Sequence, residues 1–319
     1  MPPPENLPPS EPNRDTGAPL AAASQTVPQA SQPAPPERTP LSATPAEWFE
    51  RITDLNPAVH LACTPVAHLG IQGPLSPIRL ERHPVLPRTD CGRLQPNLAE
   101  HAGLFAVHEA HAAGMLHALE VRDARGRQAH RIVLSTGASF PAWLEFTTAH
   151  SLPRGSGSPW FPANHAASTR RVGALTGRIR FLRQHLAQSS PAVRRVSPGN
   201  LVSLLQQAIA SELPIRTSLY NRAVILTSTW TPEFQAPDLV ALQGAEPRIS
   251  RFFGGDTGLQ LHQDPDLFLA LWTGTCACCG REKWAIEMGT PDGELALALT
   301  APDASQEDVW RQFLIEYLE

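Results

Sequence analysis

ALEVRDARGRQAHRIVL (residues 118–134) and AIEMGTPDGELALALTA (residues 285–301) are two copies of one pattern, and they decide the fold. Placed 167 positions apart, they align Glu120 with Glu287 and Gly126 with Gly293. In each copy an alternating apolar stretch leads through a polar, glycine-containing turn into a second alternating stretch, as in a β-hairpin. The chain therefore contains an internal duplication.

The segments around the two hairpins predict further strands and helices. SFPAWLEF (139–146) and SQEDVWRQFLIEYLE (305–319) follow the hairpins with helical spacing of large apolar residues. LPIRTSLYNRAVILTSTW (213–230) predicts two strands around Asn221 and Arg222. Between the copies, SPWFPANHAAS (158–168) predicts a loop, and GRIRFLRQHLAQ (177–188) and SPGNLVSLLQQAIASEL (197–213) predict two helices. The predicted fold is α+β, with two tandem repeats that each form a large antiparallel sheet with packed helices.

Composition sets the predicted boundaries. Residues 1–43 hold 12 of the 33 prolines and few large apolar side chains, so they are predicted to form a disordered, proline-rich tail. The N-terminal repeat is predicted over residues 44–155. The C-terminal repeat, together with the helices between the halves, is predicted over residues 156–319.

Charge and cysteine content exclude several classes of function. The formal net charge is −4, with 26 basic and 30 acidic residues, so the chain lacks the positive excess that nucleic-acid binding needs. No apolar run is long enough to predict a membrane span, and MPPPENLPPS does not resemble a secretory signal. Five cysteines, three of them clustered, argue against a secreted disulfide framework and favour a cytoplasmic protein.

The order of several segments resembles the hemin-degrading factor family of the HemS/ChuX type. These segments are PAEWFERITDLNPAVHLAC (45–63), NLVSLLQQAIASELPIRTSLYNRAVILTST (200–229), DTGLQLHQDPDLFLALW (256–272) and WAIEMGTPDGELALAL (284–299). The resemblance covers roughly residues 46–319. It implies a HemS-like fold and a role in bacterial haem utilisation and iron transport, with haem held between the two halves.

The resemblance also implies a ligand set. FLRQH (181–185) is similar to the family's haem-binding helix, and PAVRRV (191–196) is similar to the segment that supplies a haem-contacting arginine. His185, and Arg194 or Arg195 as a propionate partner, are therefore candidates. The family's axial histidine should fall near Thr176, where GALTGRIRF (173–181) holds no His, Cys, Met or Tyr. His165 is the nearest imidazole before that position and is a further candidate.

The cluster CACC is the second candidate centre. Cys276 and Cys278 alternate along a predicted strand, so their thiols would point to one face as ligands of a soft metal or of haem iron. Cys279 is adjacent to them, and Cys63, Cys91 or His262 could complete a zinc site only through the fold. The alternatives are small buried residues without a ligand, and thiol redox chemistry.

HEAHAAGMLH (108–117) brings three histidines close in sequence. As part of a strand and its connecting loop they need not converge, whereas a helix would place His108 and His111 on one face. Hydrolase, nucleotide-binding and dehydrogenase motifs are absent from the sequence.

The sequence thus predicts a haem-binding protein that carries imported haem or helps to degrade it. Its partners would be haem itself and a haem importer or a haem-degrading protein. Two alternatives remain open. One is a paralogue that lost haem and acts as an interaction or regulatory protein, and the other is a thiol metal-binding protein. Whether the chain is an enzyme also stays open.

Overall fold

The computed structural model describes most of the chain from residue 36 onward. The described ranges are 36–44, 47–48, 51–55, 58–73, 94–111, 114–134, 140–153, 165–189, 192–236, 248–263, 268–275 and 282–318. No helix in these ranges is long and apolar enough to cross a membrane.

The described residues form sixteen strands and four α-helices. The strands of the first half are β1 (Glu37–Leu41), β2 (Ala58–Cys63), β3 (Ala67–Gln72), β4 (Leu94–Pro96), β5 (His101–His111), β6 (Gly114–Asp123) and β7 (Gln128–Leu134). Those of the second half are β8 (Val193–Arg195), β9 (Ile215–Tyr220), β10 (Val224–Trp230), β11 (Phe234–Ala236), β12 (Arg248–Gly254), β13 (Thr257–Gln263), β14 (Phe268–Thr275), β15 (Glu282–Gly289) and β16 (Leu295–Thr300). The helices are α1 (Phe140–His150), α2 (His165–Ala187), α3 (Pro198–Ala210) and α4 (Glu307–Leu318).

All neighbouring strands pair antiparallel, in two sheets. The nine-stranded sheet has the order β1-β5-β6-β7-β2-β3-β13-β12-β11, and the seven-stranded sheet has the order β4-β10-β9-β16-β15-β14-β8. The predicted α+β class with large antiparallel sheets is confirmed.

The two predicted hairpins are paired in the same register, as the duplication requires. Ala118 pairs with Val133 in the first hairpin, and Ala285 pairs with Thr300 in the second, so both partners are displaced by the same 167 positions. The strand order β5-β6-β7-β2-β3 recurs as β14-β15-β16-β9-β10. Gly126 and Gly293 both have positive φ, which is why glycine occupies the equivalent place in each turn.

Each half contributes to the sheet of the other half: β11, β12 and β13 join the nine-stranded sheet, and β4 joins the seven-stranded sheet. β13 of the second half pairs with β3 across Leu259 and Leu69, and β4 of the first half pairs with β10 across Leu94 and Leu226. Because these strands cross between the sheets in both directions, neither sheet is complete without the other half of the chain. The boundary near residue 155 stays a prediction.

β1 corrects one predicted boundary. It lies inside the segment 1–43 that was predicted to be a disordered tail, yet it pairs along its whole length with β5. Leu41 and Ala43 are fully buried, and Arg38 forms an ion pair with the buried Glu120. Residues 36–43 therefore belong to the fold, because backbone pairing and two buried apolar residues offset the poor strand propensity of this stretch. The rest of the predicted tail, residues 1–35, lies outside the described residues.

The helices cover the sheets largely as their periodicity predicts. α3 buries Leu201, Leu204, Leu205 and Ala208, and its N-cap Ser197 accepts a hydrogen bond from the backbone N–H of Asn200 at 3.1 Å. In α4, Trp310 and Leu314 are fully buried, whereas Tyr317 of the same helix is exposed. α2 begins at His165, inside the segment that was predicted to be a loop.

Candidate functional site

The candidate haem ligands lie on or beside α2, the helix that connects the halves. His165 is the first residue of this helix, and its side chain lies outside the described residues. Thr176, where the resemblance places an axial ligand, is half-buried, and its hydroxyl donates a hydrogen bond to the carbonyl of Val172 at 2.8 Å. Since a threonine hydroxyl bound to its own helix is a poor iron ligand, this position does not fit haem ligation.

One side of α2 packs directly on the seven-stranded sheet. The buried side chains of Leu175, Ile179 and Leu182 form a cluster with Tyr220 and Ile225 of that sheet. Because these apolar side chains are used for packing, the candidates for ligand binding are the α2 side chains on either side of them.

Arg178 fills the polar part of the interface between α2 and the sheet. Its Nε and Nη2 donate to the two carboxylate oxygens of Glu287 at 2.6 and 3.0 Å. The guanidinium carbon also lies 4.1 Å from the centre of the Trp272 ring, a cation–π contact. Both charged side chains are largely buried, so each is held in place by the other.

His185 lies nearer the C-terminal end of the same helix. Its ring packs on Phe181 with the centroids 4.2 Å apart, and its buried Nδ1 has no hydrogen-bond partner in the described part of the chain. Arg194 and Arg195 are exposed on β8, the edge strand that α2 contacts. The structure therefore brings a free imidazole nitrogen, an exposed aromatic ring and two cationic residues to neighbouring elements.

The predicted thiol ligation by the cysteine cluster stays a prediction. Cys276, Cys278 and Cys279 lie outside the described residues, and so does Cys91. Burial raises the pKa of the Cys63 thiol to about 11, and its sulfur accepts a hydrogen bond from Gln128 at 3.1 Å. Within the described ranges, no three His, Cys, Asp or Glu side chains are placed to hold a metal ion.

A cavity of about 280 Å³ lies between the two duplicated hairpins. Cys63 and Tyr220 face it, and burial raises the pKa of the Tyr220 hydroxyl to about 12. Both groups are therefore neutral near pH 7, and they offer hydrogen bonds rather than a nucleophile. A second cavity, of about 340 Å³, lies on the nine-stranded sheet over Gly70 and Gly258, beside Arg251 and Phe253.

The sequence interpretation missed the pairing of six histidines on the nine-stranded sheet. His60 and His130 stack in the core, His68 and His262 lie edge to face at 5.3 Å, and His108 and His117 have their Nδ1 atoms 3.1 Å apart. Burial lowers the pKa of His60 to about 4 and that of His130 well below its usual value. The pairs depend on how neighbouring strands are aligned, and the sequence alone did not give this alignment.

Solved structures resemble this chain over most of its length. Holo-PhuS, a haem-binding protein from Pseudomonas aeruginosa, superposes with a TM-score of 0.65 at 17% identity, covering 88% of this chain and 87% of PhuS. ChuS, described as an Escherichia coli haem oxygenase, superposes with a TM-score of 0.66 at 14% identity, covering 88% and 89%. This chain has the PhuS/ChuS fold.

A second structure of ChuS, there called a haem-degrading enzyme, gives a TM-score of 0.67 at 15% identity. The HemS-type fold that the sequence resemblance implied is confirmed. No family model matches the sequence, and no curated protein matches it. The PhuS/ChuS fold does not by itself fix a function for this chain.

Proposed function

We propose that this chain binds haem beside the C-terminal part of α2 and serves haem utilisation, as a carrier of imported haem or a helper in its degradation. The observation that carries this proposal is the imidazole of His185, whose buried Nδ1 has no hydrogen-bond partner among the described residues. A buried, unpartnered nitrogen is costly, and coordination to a metal is one way to offset that cost.

The neighbouring residues suit a porphyrin at this position. Phe181, 38% exposed, packs on the His185 ring and offers an apolar surface. Arg194 and Arg195 on β8 are exposed and would pair with propionate carboxylates. When bound, haem would supply the iron and the oxygen chemistry, as substrate or cargo. In this proposal His185 would ligate the iron, and Arg194 and Arg195 would hold the propionates.

The shared fold gives independent support. PhuS is described as haem-binding and ChuS as haem-degrading, and both superpose on 88% of this chain. A cytoplasmic location, and partners that deliver or degrade haem, belong to this proposal.

The test is a titration of the purified chain with hemin, followed by the Soret absorption band. Wild type should give a saturable one-to-one shift that His185→Ala loses and Thr176→Ala, on the same helix, keeps. His165→Ala and the combined Cys276→Ser, Cys278→Ser and Cys279→Ser variant are measured in parallel. Loss of the shift in either of these, with His185→Ala unaffected, assigns the ligand elsewhere and overturns the role of His185.

A second candidate is a protein that kept the fold and lost haem, acting through interactions with other proteins. The observation in its favour is Arg178, which fills the interface between α2 and the sheet two residues after Thr176, bound to Glu287 and Trp272. If wild type gives only the spectrum of free hemin, this candidate replaces the first. The third, a thiol metal-binding protein, is tested by metal analysis of the purified chain and of the cysteine variant.

A further inference from the structure

His108 and His117 are directly opposed on neighbouring strands. They are register partners in the β5–β6 hairpin, three residue pairs from its turn end at His111 and Gly114. Directly opposed residues of an antiparallel pair project to the same face with their Cβ atoms about 5 Å apart. The two imidazoles therefore meet, and their Nδ1 atoms lie 3.1 Å apart.

This nitrogen separation suits a shared metal ion. Imidazole nitrogens lie about 2.0–2.1 Å from zinc, which puts two tetrahedral ligands about 3.3 Å apart and two ligands at a right angle about 2.9 Å apart. The observed 3.1 Å lies between these values. A hydrogen bond between the two rings also accounts for it, provided that one Nδ1 carries the proton and the other does not.

Both imidazole rings pack against aromatic side chains of α1. The His108 ring stands edge-on to Trp143 at 5.1 Å, and the His117 ring lies 5.0 Å from Trp143 and 4.9 Å from Phe140. Trp143 is only 2% exposed, so this support is part of the core. Ligands held in place before binding lose little conformational entropy when an ion arrives.

The pair is open to solvent on its other side. Both histidines are half-buried, and Met115, two residues before His117 on the same face, is 58% exposed. Glu37 of β1 is the register partner of His108, so it too projects from this face. An ion held by the two imidazoles would thus have room for water and a carboxylate within reach.

We propose that His108 and His117 form a two-imidazole site for a divalent transition-metal ion of the Cu(II), Ni(II) and Zn(II) class. Water completes the coordination shell, with Glu37 as a third donor once its side chain turns toward the ion. Imidazole suits these ions, and Cu(II) should bind most tightly of the three. The site stands apart from α2 and does not depend on haem binding.

The test uses Cu(II) on the full chain with Cys91, Cys276, Cys278 and Cys279 changed to Ser, so that these thiols neither bind nor reduce the ion, and the remaining thiol, Cys63, is kept neutral near pH 7 by its raised pKa. Electron paramagnetic resonance should show coupling to two nitrogens, and calorimetry should give the dissociation constant. In the same background, His108→Asn keeps a polar group near the Nδ1 position but removes the imidazole. It should raise the dissociation constant by at least about 10–100-fold, the loss that follows even from removing an outer-shell partner.

The pair His68 and His262 provides the matched control, since its rings also lie close together, at 5.3 Å. Changing both to Asn should leave the spectrum and the affinity unchanged. His117→Gln is the second variant, and circular dichroism of each variant establishes that it is folded. Unchanged copper binding in folded His108→Asn or His117→Gln overturns the site and leaves a hydrogen-bonded pair. Loss of binding in the control variant alone moves the site to His68 and His262.

Discussion

His60 and His130 stack in the core of the nine-stranded sheet, with ring centroids 5.8 Å apart and an interplanar angle of 17°. Neither ring has a hydrogen-bond partner for either of its nitrogens among the described residues. Both side chains are about 99–100% buried, and burial keeps the imidazoles neutral by lowering their pKa values. The fold therefore holds two bases that cannot accept protons without a large loss of solvation.

We predict that this pair makes the fold sensitive to acid. The pKa of His60 is about 4 in the folded chain and about 6.5 when unfolded, so below pH 6.5 the unfolded chain binds more protons. Stability should fall as pH drops from 6.5 toward 4, by about 2 kcal/mol between pH 7 and pH 5 from His60 alone. Urea unfolding measured at pH 7, 6 and 5 tests this. His60→Leu should flatten the pH dependence, because it removes the buried base. An equal slope in His60→Leu and wild type contradicts the prediction.

We predict that the folded chain tolerates the buried charges of Arg178 and Glu287 only when both are present. Removing one partner leaves the other charge largely buried and uncompensated, which costs about 3–5 kcal/mol. Glu287→Leu and Arg178→Met should therefore each destabilise the chain strongly. The double variant should recover most of the loss, because two apolar side chains can pack where the ion pair was. A double-mutant cycle by urea unfolding measures this coupling, and additive losses would show that the two residues act separately.

We predict opposite effects for alanine at two glycines. A Cβ at Gly254 would overlap the carbonyl oxygen of Thr231, so Gly254→Ala must displace backbone and should cost at least about 1–3 kcal/mol. A Cβ at Gly177, exposed in the middle of α2, meets nothing within 4 Å. Gly177→Ala should stabilise the chain by about 0.5–1 kcal/mol through helix propensity. Thermal unfolding of the two variants against wild type measures both effects. A destabilising Gly177→Ala would contradict the helical assignment there.

The hairpins and the strand pair around Asn221 were predictable because local patterns specify them. Alternation and a glycine turn fix a hairpin within some seventeen residues, and its register follows from the turn. The exchange of β4 and β13 was not predictable, because the partners Leu94 and Leu226 are far apart in the chain and no local signal links them.

The same limit applies to the candidate site. The resemblance pointed to α2 and His185, but the ion pair of Arg178 with Glu287 joins residues 109 positions apart. HEAHAAGMLH contains both His108 and His117, yet their meeting depends on a register that pairs His111 with Gly114. A one-residue slip would turn one of the two rings to the opposite face.

We predict that Cys63 is unreactive in the folded chain. Its thiol pKa of about 11 is about two units above the usual value, which lowers the thiolate fraction near pH 7.5 about 100-fold. The reaction rate with iodoacetamide should fall accordingly, since the thiolate is the reacting species. Alkylation followed over time by peptide mass spectrometry, in native buffer and in urea, separates this thiol from the other four.

The hydrogen bond from Gln128 to the sulfur of Cys63 favours the thiolate. Gln128→Ala removes this bond, so it should slow the reaction further as long as the cavity stays closed to solvent. Solvent accessibility of the cavity is read from hydrogen exchange at Ala129. Labelling of Cys63 in native buffer at the rate seen in urea contradicts the prediction.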